Sequence, residues 1–349
     1  FMKRALTLIA TILITMSLAA QERVQVKDIP YKNAQDEYVQ QKCRIDVDYE
    51  KGAEGRPVIV WFHGGGLTSG QKHVPQTLTR EGAVIVAVGY RFVTEVSIPE
   101  VLDDAAAAVD WTLQNIEQYG GDTSKIYLAG HSAGGYIVSM IGLNKEYLGK
   151  YDIDPDKQIK ALVPYSGQVI THFAQRQKQG IKELTPTIDH LAPLLYVRGD
   201  AAPMLVISGQ VGYDTTARGM GLNLRAGGDQ EFDITRSVEC MTKYCEMIED
   251  PKRIRYALEK SLYLATHGRP GPCWIDIPLN FQGMTIETDD LIGYDPSEDE
   301  IALAPLVSDD VIDTVAEKIL SAKRPVLYAG NGVRLAGAFE SFKKAVKKL

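Results

Sequence analysis

A serine held between two glycines is the feature of this sequence that most clearly predicts chemistry. The motif GHSAG occupies residues 130–134, after the β-rich run Lys125–Ala129 and before the helical run Gly135–Leu143. Glycines at both ends of such a motif permit a sharp strand-to-helix turn that exposes the serine hydroxyl. Chance matches to this spacing are common in long chains, but the flanking strand and helix are the context that the motif requires. The pattern predicts that Ser132 is a nucleophile for acyl transfer, with the Ala133 N–H beside it.

A glycine run further upstream is suited to stabilising the charge that such a reaction creates. The run HGGG occupies residues 63–66, directly after the β-rich run Arg56–Phe62. Glycines let the backbone approach a substrate closely, and their N–H groups can meet the charge that develops on a carbonyl oxygen. Alone, the run is a weak signal because loops use glycine freely. Together with the serine motif it predicts an oxyanion hole.

Short strands alternate with helical runs around both motifs. Apolar β-rich runs occupy Arg56–Phe62, Gly82–Gly89, Lys125–Ala129 and Ala161–Tyr165, and Val101–Tyr119 carries apolar residues at helical spacing. Such alternation is typical of a parallel sheet covered by helices on both faces. The sequence therefore predicts an α/β fold with its chemistry at the carboxyl ends of the strands.

Composition narrows the class of protein. The chain has 349 residues, of which 45% are hydrophobic and 24% charged, with a formal net charge of -7. These values are ordinary for a globular protein, and the length suggests two domains or one large domain with an appendage. Because proteins that bind nucleic acid usually carry a basic face, the charge argues against a nucleic-acid partner.

The first residues have the pattern of an export signal. Lys3 and Arg4 precede an apolar run, 5–18, that ends in the small residues Ala19 and Ala20. The alternative is a membrane anchor, but the run is shorter than the roughly 20 apolar residues that span a bilayer. We expect a signal peptide over residues 1–20, a secreted or periplasmic product, and no membrane span after cleavage.

The cysteines point to another compartment. Cys43, Cys240, Cys245 and Cys273 have the spacing of neither a disulfide framework nor a zinc site. Exported proteins usually pair their cysteines or avoid them. The three cysteines of the second half are therefore typical of a cytoplasmic protein, which suggests that the two halves differ in origin.

The first half resembles a known enzyme family. Residues 45–209 carry the segments WFHGGGLTSG, YGGDTSKIYLAGHSAGGY and YSGQVITHF, together with a Tyr-Arg pair at 90–91 and the helix DDAAAAVDW. They resemble bacterial carboxylesterases and feruloyl-esterase-like α/β-hydrolases. The resemblance implies a domain over residues 21–209 that hydrolyses short acyl or aryl esters. It also implies Ser132 as the nucleophile and backbone donors from Gly65, Gly66 and Ala133.

The rest of the expected catalytic triad is hard to find. The resemblance places the triad acid after the strand Pro203–Ser208, where Asp214 is the nearest carboxylate and a weak candidate; Asp200 lies at the wrong end of that strand. It places the base near the carboxyl terminus, yet His267 is the only histidine after residue 190. We therefore expect Ser132 to lack its normal activation and the enzyme to be weak or inactive.

The earlier histidines have other interpretations. His63 belongs to the glycine motif, and His131 precedes the serine and is expected to point away from the substrate. His172 and His190 are interpreted as polar surface or loop residues.

From Pro203 onward the sequence resembles a second family. The segment GRPGPCWIDIP (residues 268–278) and the segment RPVLYAGNGV (324–333) are similar to acetolactate synthase and related thiamine-diphosphate enzymes. The resemblance implies half of a pyrimidine-binding domain over 203–284, an acidic linker over 285–306 and the start of a central domain over 307–349. It also implies that residues 324–333 form the first strand and glycine loop of that central domain. In that context His267 is a helix-end residue.

The second resemblance also implies thiamine diphosphate and magnesium as cofactors. The activating glutamate and the metal-binding Asp and Asn of that family have no counterparts here, and Asp229 or Gln230 cannot form a cofactor site alone. We expect no cofactor, no metal and only a small ester as partner.

The two resemblances meet in the segment PMLVISG, residues 203–209. We interpret the chain as a chimera of two genes joined there, by recombination or by misassembly of the sequence. The PMLVIS strand is expected to complete the hydrolase sheet, and WIDIP to add a further strand. Two alternatives remain: a fragment of a thiamine-diphosphate lyase that needs a partner chain, and a chimera without enzymatic function.

Overall fold

The structure, a computed structural model, describes residues 22–80, 82–182, 185–198, 201–228, 230–268, 270–299, 307–330 and 332–348. The expected signal peptide, Asp200 and Asp229 lie outside these ranges. Within them, no helix is both long enough and apolar enough to cross a membrane.

The described strands form one nine-stranded sheet. Its strands are β1 (Arg23–Pro30), β2 (Arg44–Glu50), β3 (Arg56–Phe62), β4 (Val84–Val88), β5 (Gly121–His131), β6 (Ile159–Tyr165), β7 (Leu205–Gln210), β8 (Tyr244–Met247) and β9 (Cys273–Pro278). Their order across the sheet is β1-β2-β4-β3-β5-β6-β7-β9-β8. β2 pairs antiparallel with β1 and with β4, and the other neighbouring strands are parallel. The predicted α/β class is confirmed.

Helices connect these strands. They are α1 (Glu37–Lys42), α2 (Ile98–Asn115), α3 (Ala133–Leu143), α4 (Lys145–Gly149), α5 (Pro155–Gln158), α6 (Phe173–Lys178), α7 (Ile234–Val238), α8 (Ile254–Thr266), α9 (Leu279–Gln282), α10 (Asp309–Ser321), α11 (Gly332–Leu335) and α12 (Phe339–Val346). Short 3₁₀ turns occupy Gln76–Thr79, Ile116–Tyr119, Pro193–Tyr196, Tyr213–Thr215, Glu239–Met241, Pro251–Arg253, Thr288–Asp290 and Pro296–Asp299.

Local sequence explains the bounds of the long helix α2. Ser97 and Glu100 form a capping box at its start, so the helix begins before the predicted Val101. Its run of four alanines, 105–108, is buried and lets the helix pack closely on the sheet. The last predicted turn is a 3₁₀ helix that ends at Gly120, whose φ of 78° suits glycine.

The strand after the proposed junction joins the hydrolase sheet as expected. The Leu162 N–H donates to the Pro203 carbonyl at 2.9 Å, and the Ser166 N–H donates to the Ile207 carbonyl at 2.7 Å. β9 then pairs with β7 over six residue pairs. Both sequence predictions, that PMLVIS completes the sheet and that WIDIP extends it, are confirmed.

The prediction of a strand at Arg324–Val333 is wrong. Residues 325–330 have no regular structure, and Val326 and Tyr328 are 90% and 102% exposed. A strand needs a neighbour for its backbone hydrogen bonds, and no described strand lies beside this segment. The preceding residues 285–299 form loops and two 3₁₀ turns, in keeping with the predicted linker.

All four cysteines are free thiols in the structure. Cys43 and Cys273 are buried, Cys245 is half-buried and Cys240 is exposed.

Candidate active site

Ser132 lies at the turn between the central strand β5 and helix α3. Its backbone has φ 55° and ψ -114°, a conformation that costs a non-glycine residue on the order of 1–3 kcal/mol. Its N–H donates to the Tyr165 carbonyl at 2.8 Å, which ties the turn to β6. The strained turn matches the one that the serine motif predicts.

Steric crowding explains the two glycines of the motif. A Cβ at residue 134 would lie 2.0 Å from the Phe62 carbonyl oxygen, and one at residue 130 would lie 2.6 Å from the Gly134 carbonyl carbon. Helix α3 therefore starts directly against the end of β3, and only glycine fits at either position.

The HGGG loop folds back on itself after β3. Gly65 and Gly66 have φ of 120° and 65°, and a Cβ at residue 65 would lie 2.0 Å from the Ser69 carbonyl oxygen. The Gly65 carbonyl accepts the N–H groups of Thr68 at 3.1 Å and Ser69 at 3.0 Å. This turn holds the loop in one conformation.

The structure brings the two motifs together. A Cβ at Gly64 would lie 3.4 Å from the Ser132 Cβ. Within the described part of the chain, the N–H groups of Gly65, Gly66 and Ala133 have no hydrogen-bond acceptor. Backbone donors left free beside a nucleophile suit a developing oxyanion. Ala133 follows Ser132 directly, and Gly64 places the start of the loop that carries Gly65 and Gly66 against Ser132.

Tyr90 supports the loop, a role that the sequence analysis missed. Its buried hydroxyl donates to the His63 carbonyl at 2.6 Å, and its ring stacks on the His63 imidazole with centroids 4.3 Å apart. The next residue, Arg91, makes two hydrogen bonds of 2.8 Å to the buried Asp104 on α2. The sequence shows the Tyr-Arg pair and the DD helix only as parts of a resemblance. The buried contacts show that they support the HGGG loop and join it to α2.

Two histidines are buried and structural. Burial lowers the pKa of His63 to about 4, and its Nδ1 lies 2.6 Å from the Gly64 carbonyl oxygen. Burial, reinforced by Arg176, lowers the pKa of His172 to about 4, and its Nδ1 accepts the Ala174 N–H at 3.2 Å. His172 lies in a loop, as one part of its interpretation has it, but it is buried and not at the surface, because it caps α6 and packs against Tyr136.

The other four histidines are exposed. They are His73, His131, His190 and His267. His267 ends α8, where its ring stacks on Tyr263 with centroids 4.1 Å apart, so its prediction as a helix-end residue is confirmed. Across the described ranges, no histidine makes a hydrogen bond to the Ser132 hydroxyl.

Asp214 lies in the short turn after β7. Its side chain is exposed, and its Oδ1 accepts the Asn280 side-chain N–H at 3.2 Å. Among the described residues it contacts neither Ser132 nor a histidine. The structure therefore does not join this candidate acid to the nucleophile.

The second half does not fit thiamine diphosphate and magnesium. A cavity of about 660 Å³ lies beyond β8 and is lined by three arginines, but each is paired with a carboxylate. Arg218 binds Asp233 and Glu249, Arg236 binds Asp233, and Arg253 binds Glu246. No described group of three or more His, Cys, Asp or Glu side chains could hold a metal ion. The described lining thus offers a diphosphate no arginine without a carboxylate partner, and it offers magnesium no cluster of three ligating side chains.

Comparison with known proteins agrees with the geometry around Ser132. Residues 45–214 match the BD-FAE family model. This segment resembles esterases, and we call it the BD-FAE-like domain. It contains β3–β7, the HGGG loop and the serine turn.

Curated relatives fall into two groups. Carboxylesterase NlhH of Mycobacterium tuberculosis is 39% identical over 90 residues, 24% of this chain and 28% of that protein. The acetolactate synthase large subunit of Corynebacterium glutamicum is 34% identical over 158 residues, 44% of this chain and 23% of that protein. The chain thus spans less than a third of the length of these relatives. Both predicted resemblances are confirmed.

Solved esterases also match the structure. A truncated carbohydrate esterase from gut microbiota is 15% identical with a TM-score of 0.49, over 73% of this chain and 87% of that chain.

Proposed function

We propose that the BD-FAE-like domain is a serine carboxylesterase that acts on short acyl or aryl esters. The observation that supports this most strongly is the position of Ser132, strained at the start of α3 beside three free N–H groups. In this proposal the Ser132 Oγ attacks the ester carbonyl carbon and the alcohol leaves. Water then cleaves the acyl-serine ester and releases the acid.

We further propose that this activity is impaired. In the described structure no imidazole is hydrogen-bonded to Ser132, so the hydroxyl proton passes to solvent. The attack therefore lacks the rate enhancement that a positioned general base provides. The oxyanion donors still act on the transition state. Enzymes without a triad member retain roughly 10³–10⁴-fold catalysis over water, and we expect a rate enhancement of that order.

Hydrolysis of 4-nitrophenyl acetate by the purified chain tests this function. We expect Ser132→Ala to be slower than the wild type, because it loses the acyl-serine route, and to retain at most the contribution of the oxyanion donors. Ser124→Ala is the matched control, because Ser124 lies on the same strand with an exposed side chain. Equal rates for the wild type and Ser132→Ala would contradict the proposal.

We also propose that the chain binds neither thiamine diphosphate nor magnesium. The ion-paired arginines of the second half support this. Calorimetric titration with thiamine diphosphate and magnesium should give no saturable heat. A saturable signal would favour the alternative of a lyase fragment that needs a partner chain.

The origin of the chain is a separate proposal. We propose an exported esterase gene joined to a second gene within residues 203–209, because two different families are matched and their resemblances meet there. Reading the source DNA across codons 190–225 as one molecule tests the join. A matching product establishes recombination. With no such product, the join is a misassembly, and the missing Asp and His belong to an intact esterase.

A further inference from the structure

The ring of Phe173 covers the oxyanion loop. A Cβ built on Gly66 would lie 2.8 Å from the Phe173 Cζ, so the tip of the ring touches the Gly66 backbone. The ring is half-buried and therefore keeps an open face. Of the three free donors, the Gly66 N–H is thus the one next to a bulky apolar side chain.

Contacts at both ends of α6 fix this ring. Phe173 is the first residue of α6, and its N–H donates to the Gln168 Oε1 at 3.0 Å. Its ring packs on His172 with centroids 4.5 Å apart. At the far end of α6, the Lys178 ammonium donates to the Val93 carbonyl at 2.6 Å. Phe173 therefore forms a rigid wall.

The loop that carries Phe173 is anchored on β7 and on the segment before it. It begins at Ser166, whose φ is 51° and whose N–H donates to the Ile207 carbonyl of β7 at 2.7 Å. Further along, the Val169 carbonyl accepts the Leu194 N–H at 2.9 Å. Strand β7 supplies no triad residue to Ser132, but it holds the segment that lies over the oxyanion loop.

We propose that Phe173 limits the size of the acyl group that Ser132 accepts. In the acyl-serine ester the carbonyl oxygen points at the free N–H groups, and the acyl chain leaves the same carbonyl carbon. A chain that extends past Gly66 meets the ring of Phe173, so an acetyl group fits and a hexanoyl group is excluded. This inference rests on the proposed esterase function and assigns a specificity residue to it.

Paired esters with the same alcohol test the proposal. The ratio of kcat/KM for 4-nitrophenyl hexanoate to that for 4-nitrophenyl acetate is measured in each variant. We expect Phe173→Ala to raise the ratio by about tenfold or more, since each methylene that fits a pocket changes specificity by roughly that factor. Phe173→Leu, which keeps an apolar contact with His172, should raise it less. Phe232→Ala is the control, because Phe232 is a 61% exposed phenylalanine of the second half.

A binding measurement makes the test independent of turnover. In the Ser132→Ala background, the Kd of each ester is measured by saturation-transfer NMR with and without Phe173→Ala. We expect tighter binding of the hexanoate and unchanged binding of the acetate. An unchanged ratio, or no binding of either ester, overturns the assignment of Phe173. A different result would contradict the esterase proposal itself, namely hydrolysis at the same rate with and without Ser132.

Discussion

Among the described residues, forty buried hydrophobic side chains form the main core of the first half, whereas seven form the core around β9 and α8. The halves also bury carboxylates differently. In the first half, Asp104 is fully buried and held by Arg91 and Lys32. In the second half, the fully buried Asp276 is hydrogen-bonded only to the neutral side chains of Ser208 and Gln210, as far as the described residues show.

One continuous sheet is therefore not equally well packed along its width. Backbone pairing carries the sheet across the junction, because parallel strands of similar length are interchangeable as hydrogen-bond partners. Side-chain complementarity is the part that differs. Substitutions at buried positions in the two halves measure this contrast.

Breaking the buried ion pair should give the largest effect. Asp104→Asn leaves the buried charge of Arg91 without its partner and Lys32 with Asp103 alone, which costs about 3–5 kcal/mol of the free energy of unfolding. Asp103→Asn is the neighbouring control, since its 30% exposed side chain should cost about 1 kcal/mol or less. Urea denaturation of both variants measures the two values. Similar losses for both would show that the network contributes no more than a surface pair.

Filling the serine turn should be nearly as damaging. Gly134→Ala places a Cβ 2.0 Å from the Phe62 carbonyl oxygen, and overpacking of this kind costs about 1–3 kcal/mol or more. In the second half, Gly228→Ala meets no atom within 4 Å and should be close to neutral. Thermal unfolding compares the two alanines. A stable Gly134→Ala protein would mean that the start of α3 can shift away from β3.

Acid should weaken the first half before its carboxylates titrate. Burial lowers the pKa of His63 and His172 to about 4, below the ordinary value of 6.5. As the pH falls from about 6.5 to about 4, these two imidazoles therefore bind protons in the unfolded chain but not in the folded chain. We expect the free energy of unfolding to fall over that window. His172→Asn should reduce the slope of stability against pH, and an unchanged slope would contradict the burial of a neutral imidazole.

The buried carboxylate of the second half should respond in the opposite sense. Burial raises the pKa of Asp276 above its ordinary value. Below the pKa that Asp276 has in the unfolded chain, its protonated carboxyl therefore stabilises the folded state. This stabilisation is lost as the pH rises through the higher pKa of the folded chain.

Asp276→Asn removes this titration. The variant should have a modestly larger free energy of unfolding than the wild type at neutral pH, and this advantage should shrink at pH 4. Ser208→Ala removes one hydrogen bond to the carboxylate and should lower the free energy of unfolding at neutral pH. Chemical denaturation at both pH values measures each difference. A less stable Asp276→Asn protein at neutral pH would show that the carboxylate is well accommodated.

Features set by short-range sterics were predictable from the sequence. The GHSAG turn and the HGGG loop follow from positions where only glycine fits, and the strand Arg56–Phe62 has the predicted bounds. The neighbours of a side chain are harder to predict. His172 is buried because Tyr136 comes from a distant helix, and nothing near residue 172 in the sequence signals that contact.

The failed prediction at residues 324–333 has a related cause. RPVLYAGNGV has the composition of a buried strand, but a strand forms only where a neighbour accepts its hydrogen bonds. Likewise, Asp214 could be placed after β7 by counting along the chain, whereas its contact with Asn280 depends on how β9 lies beside β7.

The strained turn at Ser132 has an evolutionary consequence. Its geometry is maintained by the packing of Gly134 on β3 and by the Tyr165 hydrogen bond, which serve folding whether or not the serine reacts. Selection for a stable fold alone would therefore preserve the glycines and the packing that shape this turn. Under the proposed function, the turn still needs a base within reach of Ser132 and a carboxylate to orient that base.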